Sequence, residues 1–180
     1  MTLIGYFPKL VASRPDWLKA PQVREIASVS TCISKGPPDW IDQWRHNSFG
    51  LFDTVALAES VVPPAQAVDF EVFAYSLLGE AFAEGKPTEG IGLTAQPEQL
   101  AEDFSVVGYD AVSKSISDFF ECSPLSCNGV AQHLTTNDLC LFPTFDEAQQ
   151  GAREFSFGQW EPGTYYVIEV RRRCPTGRCS

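Results

Sequence analysis

The chain has 180 residues, 44% hydrophobic and only 20% charged, a balance that excludes a disordered chain and is enough for one buried core without cross-links. Twenty-three acids outweigh 13 Lys and Arg for a net charge of −10, so most of the surface repels phosphate backbones and anionic lipid, and neither nucleic acid nor membrane is an expected partner. No basic segment followed by an apolar run opens the chain, and no apolar run approaches the ~20 residues of a membrane span. The expected location is therefore the cytoplasm, with the six cysteines present as thiols, metal ligands or reactive groups and not as structural bridges.

Residues 3–7 are strand formers ended by Pro8 and predict a first strand. Ser13, Pro15 and Asp16 have the order of a helix start, and residues 26–33 have strand composition. A second Pro-Asp-Trp triplet at Pro38, Asp39 and Trp40 predicts a short helix over 39–45, so that Trp17 and Trp40 each dock into the core at a helix start. Turn chemistry at 46–50 precedes a helix over 54–61, closed by Pro63 and Pro64.

The most regular helical pattern covers 68–82, where Phe70, Phe73, Leu77 and Ala81 share one face, and Asp69, Ser76 and Glu80 the other. Gly85 to Gly92 reads as a mobile loop or joint, Pro97 to Asp103 as one or two helical turns, and 104–113 as a strand bulged at Gly108. An apolar segment over 139–142 leads to Thr144 and Glu147, which have capping-box spacing. Phe145, Ala148, Ala152 and Phe155 then form a narrow helical stripe, and 165–170 alternates as a strand.

These elements predict a single α+β domain over 1–170, with a mixed sheet of about five strands near Ile4, Val29, Val107, Leu141 and Val167. Two main helices, near Phe73 and Ala148, and several short ones cover it. Residues 171–180 hold four arginines and no acid, which leaves −14 on the remainder and reads as a basic, mobile tail.

Functional residue types concentrate between Glu121 and Cys140. Zinc takes four soft or borderline ligands, and Cys122, Cys127, His133 and Cys140 offer such a set; Cys122 and Cys127 with Cys174 and Cys179 offer another. No other cofactor is expected. A thiol enzyme would use Cys127, ahead of a helix start at 128–132 whose amides favour a thiolate. His133 or His46 would be its base, and Asp138 or Asp110 would orient the ring. The plain alternative is that Cys122, Cys127 and Cys140 are buried thiols that pack as small hydrophobes.

Trp40 and Trp44, four apart, would floor an aromatic ligand pocket with His46 and Asn47 at its rim, or else pack in the core. No phosphate loop, zinc-protease or nucleophile-elbow motif occurs. The leading expectation is a non-catalytic acidic binding protein that docks or neutralises a basic protein partner. The cysteine enzyme and the zinc-stabilised domain are the alternatives.

Overall fold

The computed structural model describes residues 1–89, 97, 99–115, 120 and 122–174. The fold is α+β. Strands β1 (Thr2–Leu10), β4 (Phe70–Ala83), β7 (Thr164–Arg173) and β6 (Phe104–Lys114) lie in that spatial order, and every neighbouring pair is antiparallel. A short strand β5 (Lys86–Thr88) folds back on β4, and β2 (Ala12–Ser13) pairs with β3 (Glu25–Ile26) in a separate ribbon. The expected mixed sheet is thus wholly antiparallel, as far as these strands show. Among the described residues no helix is long and apolar enough to cross a membrane.

The chain is built as two copies of one pattern. In the first, Gly5 on β1 pairs with Tyr75 on β4 beside a bulge at Ile4; in the second, Gly108 on β6 pairs with Val170 on β7 beside a bulge at Val107. Tyr75 and Val170 are themselves partners, so an approximate twofold axis runs between the two central strands. Both glycines need a positive φ, 143° and 146°, and a Cβ at either would strike the bracket that follows its strand, at Leu51 and Leu141 respectively. Each bracket begins with an asparagine, Asn47 or Asn137, and continues to a two-bond bridge back to the strand, Tyr6 with Phe52 and Tyr109 with Phe142. A threonine cap then starts a helix, Thr54 for α1 (Val55–Ser60) and Thr144 for α3 (Phe145–Phe155).

The capping box predicted at Thr144 and Glu147 is present, and Ala148, Ala152 and Phe155 bury the stripe of α3 against Ala111 and Val167. The helix predicted over 68–82 is instead strand β4. Val72 to Ser76 are buried on both sides of this central strand, and a run apolar on both faces also satisfies helical spacing. Other short readings change as well. Residues 39–45 form turns, the strand expected over 26–33 survives only as Glu25–Ile26, and β1 continues through Pro8, which an edge strand tolerates. Trp17 is exposed and Trp40 partly buried, so only the second of the two tryptophans packs against the core.

Arg171, Arg172 and Arg173 complete β7, so the boundary drawn at 170 falls inside a strand. Their charges are paired: Arg171 with Glu169, Arg172 with Glu71 and Glu25, and Arg173 with Asp103 and Glu59. Cys174 is disulfide-bonded, contrary to the expectation that none of the six cysteines forms a structural bridge. Residues 175–180, with Cys179, lie outside the described residues, as do Glu121 and the 90–92 part of the expected loop.

Candidate thiol site

Partners on neighbouring strands point to the same side of a sheet. The register therefore places Phe7 and Lys9 of β1, Phe73 and Tyr75 of β4, Ile168 and Val170 of β7, and Asp110 of β6 together, opposite the face that receives α3. Lys9 and Asp110 stand on the two edge strands, with β4 and β7 between them. Both are 0% exposed. What joins them is the loop after β3. The Lys9 ammonium donates to the carbonyls of Ser28 and Ser30, the latter at 2.5 Å. Asp110 accepts the Ser28 hydroxyl at 2.5 Å and, from the loop after β6, the Ser123 hydroxyl at 2.6 Å.

A buried lysine and a buried carboxylate are costly to hold unless paired and hydrogen-bonded. Burial lowers the Lys9 amine to about 7, against the opposing pull of Asp110 and of the thiols of Cys127 and Cys32. Burial raises Asp110, opposed by the Ser123 and Ser28 hydroxyls, Lys9 and the Val29 amide. Three donors on one carboxylate and two acceptors on one ammonium give the charged pair the partners that such burial demands. In effect, Lys9 and Asp110 clamp the two long loops, one from each half of the chain, onto the sheet.

What the clamped loops present is a trio of thiols. The ligand atoms of Cys32, Cys122 and Cys127 all lie within 4.8 Å of one another. Cys32 is exposed and Cys122 buried, with Cys127 between these extremes. Ser30 links the trio internally: its hydroxyl accepts the Cys32 amide at 3.3 Å and lies 3.7 Å from the Cys127 sulfur. The Cys122 thiol donates to the Asn128 side chain at 3.5 Å.

The three thiols are not equivalent. Hydrogen bonds from Cys122, then Cys127, stabilise the Cys32 thiolate, and with Ser30 and Lys9 they outweigh burial and hold Cys32 far below the ordinary thiol range. Cys122 is pushed far up by its bonds to Cys127 and Cys32 and by burial. At Cys127 the bond from Cys122 favours the thiolate, but the bond toward Cys32 and burial outweigh it, so this thiol also stays protonated. The arrangement sets one exposed thiol of lowered ionisation beside two whose ionisation is raised.

Of the residues singled out from the sequence, Cys122 and Cys127 come together. His133 and Asp138 are exposed, and neither is hydrogen-bonded to Cys127, whose side-chain partners include the Ser30 and Ser126 hydroxyls. Cys127 is the last residue of the four-residue helix α2 (Pro124–Cys127), not the residue before a helix, so helix amides do not face its sulfur. Cys140 is fully buried and takes φ 61° at the place in the second bracket that Gly50, φ 70°, holds in the first; it stands outside the trio. Since Cys174 is disulfide-bonded, it supplies no thiolate to the second proposed zinc set.

Trp40 lines a cavity of about 70 Å³ with Phe7, Ile41, Phe49, Leu51 and Phe120, and a second, more open one of about 440 Å³ with Lys35, Pro37, Asp39 and Ile41. Trp44 is 82% exposed and is not four-apart on a helix face with Trp40, because the segment is not helical. His46 sits between the two rings, 5.3 Å from Trp40 and 6.3 Å from Trp44, while Asn47 is spent on its bracket. Cys32 carried no sequence signal: it lies ninety positions before Cys122 and joins it only through the fold. In comparisons with known proteins, the chain matches no family model, no curated protein and no solved structure.

Proposed function

We propose that the chain is a thiol-based redox protein in which Cys32 attacks and Cys127 resolves. The observation that carries the reading is the exposed Cys32 sulfur held within 4.8 Å of two less accessible thiols. The Cys32 thiolate would attack one sulfur of an external disulfide, form a mixed disulfide and expel the other half as a thiolate. The Cys127 thiol, giving its proton to that leaving thiolate, would then attack the Cys32 sulfur and release the second half. The Cys32 thiolate and Cys127 thiol end as a disulfide, and one substrate disulfide becomes one thiol and one thiolate, which solvent protonates. Cys122, by turning its one thiol proton from Asn128 to Cys32, would serve as the hydrogen-bond donor that keeps Cys32 ionised. Ser30, which touches both the Cys32 amide and the Cys127 sulfur, places the resolving thiol on the same side as the attacking one.

This reading moves the nucleophile from Cys127 to Cys32 and uses no histidine. Docking of a basic partner rests on net charge alone, a less specific feature than the trio, so function is assigned to the trio. The test is oxidation of the reduced chain with one equivalent of oxidised glutathione, followed by peptide mapping. A Cys32–Cys127 bond is expected, and Cys127→Ser should stall as a glutathione adduct on Cys32. An unmodified Cys32 under these conditions refutes the reading.

A further inference from the structure

The same three sulfurs have the donor set and spacing of a soft-metal site. Zinc bound by thiolates at ~2.3 Å in a tetrahedron sets its sulfurs about 3.8 Å apart. Three sulfurs already within 4.8 Å of one another reach that spacing by small side-chain shifts. The group holds no carboxylate, which disfavours calcium and magnesium, ions that prefer oxygen ligands.

The surroundings also suit thiolates. Hydroxyls of Ser30 and Ser126 lie 3.7 and 3.8 Å from the Cys127 sulfur, positions from which a hydroxyl can donate to a metal-bound thiolate. A divalent ion with three thiolates carries one net negative charge. The buried Lys9, whose amine interacts electrostatically with both Cys127 and Cys32, would hold its proton more firmly beside the anionic site and so supply the compensating positive charge. Because Cys32 is exposed, the fourth coordination position would face solvent, where water or an external thiol could take it.

We infer that Cys32, Cys122 and Cys127 form, when reduced, a three-thiolate site for one zinc-class divalent ion. The site goes beyond the redox reading and shares its thiols, so metal binding and disulfide formation should exclude each other.

The test uses the full chain with its trio reduced, titrated first with Cd²⁺, whose thiolate charge-transfer absorption counts bound sulfurs, and then with Zn²⁺ against a chromophoric chelator. The expected result is one ion per chain with three thiolates. Cys32→Ser, a change at an exposed position, should weaken binding by more than the ~10–100-fold typical of a lost outer-shell contact. His133→Ala should bind as the wild type does. A reduced chain that takes up no ion yet still closes the Cys32–Cys127 disulfide overturns the metal site alone. Wild-type affinity in Cys32→Ser, or lost binding in His133→Ala, also overturns it. Stoichiometric binding by a chain whose Cys32 and Cys127 stay unpaired under oxidant supports the site and removes only the redox reading.

Discussion

Asn47 and Asn137 share three side-chain bonds in the two halves of the chain, to which Asn47 adds a donation to the Asp53 carboxylate at 2.9 Å. The Nδ2 of Asn47 donates to the Ile4 carbonyl at 2.9 Å, and that of Asn137 to the Val107 carbonyl at 2.6 Å, in each case the bulged residue before the glycine. Each Oδ1 accepts two amides, from Phe49 and Leu51 at 2.9 and 3.2 Å, and from Leu139 and Leu141, both at 3.0 Å. The asparagine thus serves as a side-chain substitute for a stretch of ladder and ties the return of each long loop to its edge strand.

From this relationship follows a stability prediction. Replacing either asparagine by Ala strips an acceptor from two amides and a donor from one carbonyl, and should cost about 2–4 kcal/mol. The Asn137→Asp change keeps the acceptor and loses the donor, so it should fall between wild type and Ala. Urea unfolding followed by tryptophan fluorescence measures all three. A loss below about 1 kcal/mol in both Ala variants would show that the bracket does not hold the loops.

The repeat was present in the sequence, since Asn47, Leu51, Phe52, Thr54 and Ala58 recur as Asn137, Leu141, Phe142, Thr144 and Ala148. Five identities scattered over twelve positions do not stand out until the bonds that need them are known. Local features were more legible. The α3 cap, the bulge at Gly108 and the strand over 104–113 each depend on residues near in sequence. Strand β4 was misread because its burial on two faces comes from β1, β7 and the layers above and below, none of them local. The same reason hid half of the site. Cys122 and Cys127 are five positions apart, whereas Cys32, Lys9 and Asp110 meet them only when two loops cross one sheet face. Arg172 looked like tail because its partners, Glu25 and Glu71, are remote in sequence.

Lys9 should give the fold an uncommon pH dependence. Its amine is held at about 7 in the folded chain, against an ordinary value of 10.5. Above pH 7 the unfolded chain therefore binds the proton more fully than the folded one, and stability rises with pH. Cys32, lowered in the folded chain, acts in the same direction below the ordinary thiol value of 9.0. Asp110 is raised and has the opposite sign, an opposition of at most one proton against the two of Lys9 and Cys32, and the raised thiols oppose only as pH nears 9. Between pH 7 and 8.5 the unfolding free energy should thus increase. Lys9→Met should reduce that slope by up to about 1.4 kcal/mol per pH unit, the effect of one proton. Denaturant midpoints at pH 7.0 and 8.5 decide it, and an unchanged slope in the variant contradicts the assignment.

Thiol labelling tests the hydrogen bonds within the trio. Cys32 should react with iodoacetamide at pH 6 well ahead of Cys122, Cys127 and Cys140, because only it is both exposed and held as a thiolate. The leading cause of that ionisation is the hydrogen bond from Cys122. Cys122→Ala should accordingly slow Cys32 labelling at pH 6 while leaving it fast at pH 9, where an ordinary thiol ionises unaided. Equal slowing at both pH values would mean that access had changed and not ionisation.

Tyr75 offers a prediction of the opposite sign to the asparagines. It sits on the approximate axis, paired with Val170, and is 0% exposed, with its ring stacked 6.3 Å from Phe73. Its hydroxyl has no hydrogen-bond partner among the described residues. Burial, and then the charge of Asp110, push its ionisation well above the ordinary range, so it remains a neutral phenol. Asp110 accepts from Ser28 and Ser123 and is not bonded to the phenol. An unpartnered buried hydroxyl costs about 1–3 kcal/mol of desolvation, whereas the phenylalanine ring keeps every apolar contact. Tyr75→Phe should therefore stabilise the fold, raising Tm by about 2–4 °C for each kcal/mol recovered at this chain length. Calorimetry of the two proteins side by side gives the answer, and a lower Tm in Tyr75→Phe would mean that the hydroxyl is bonded after all, with a buried water as the natural partner.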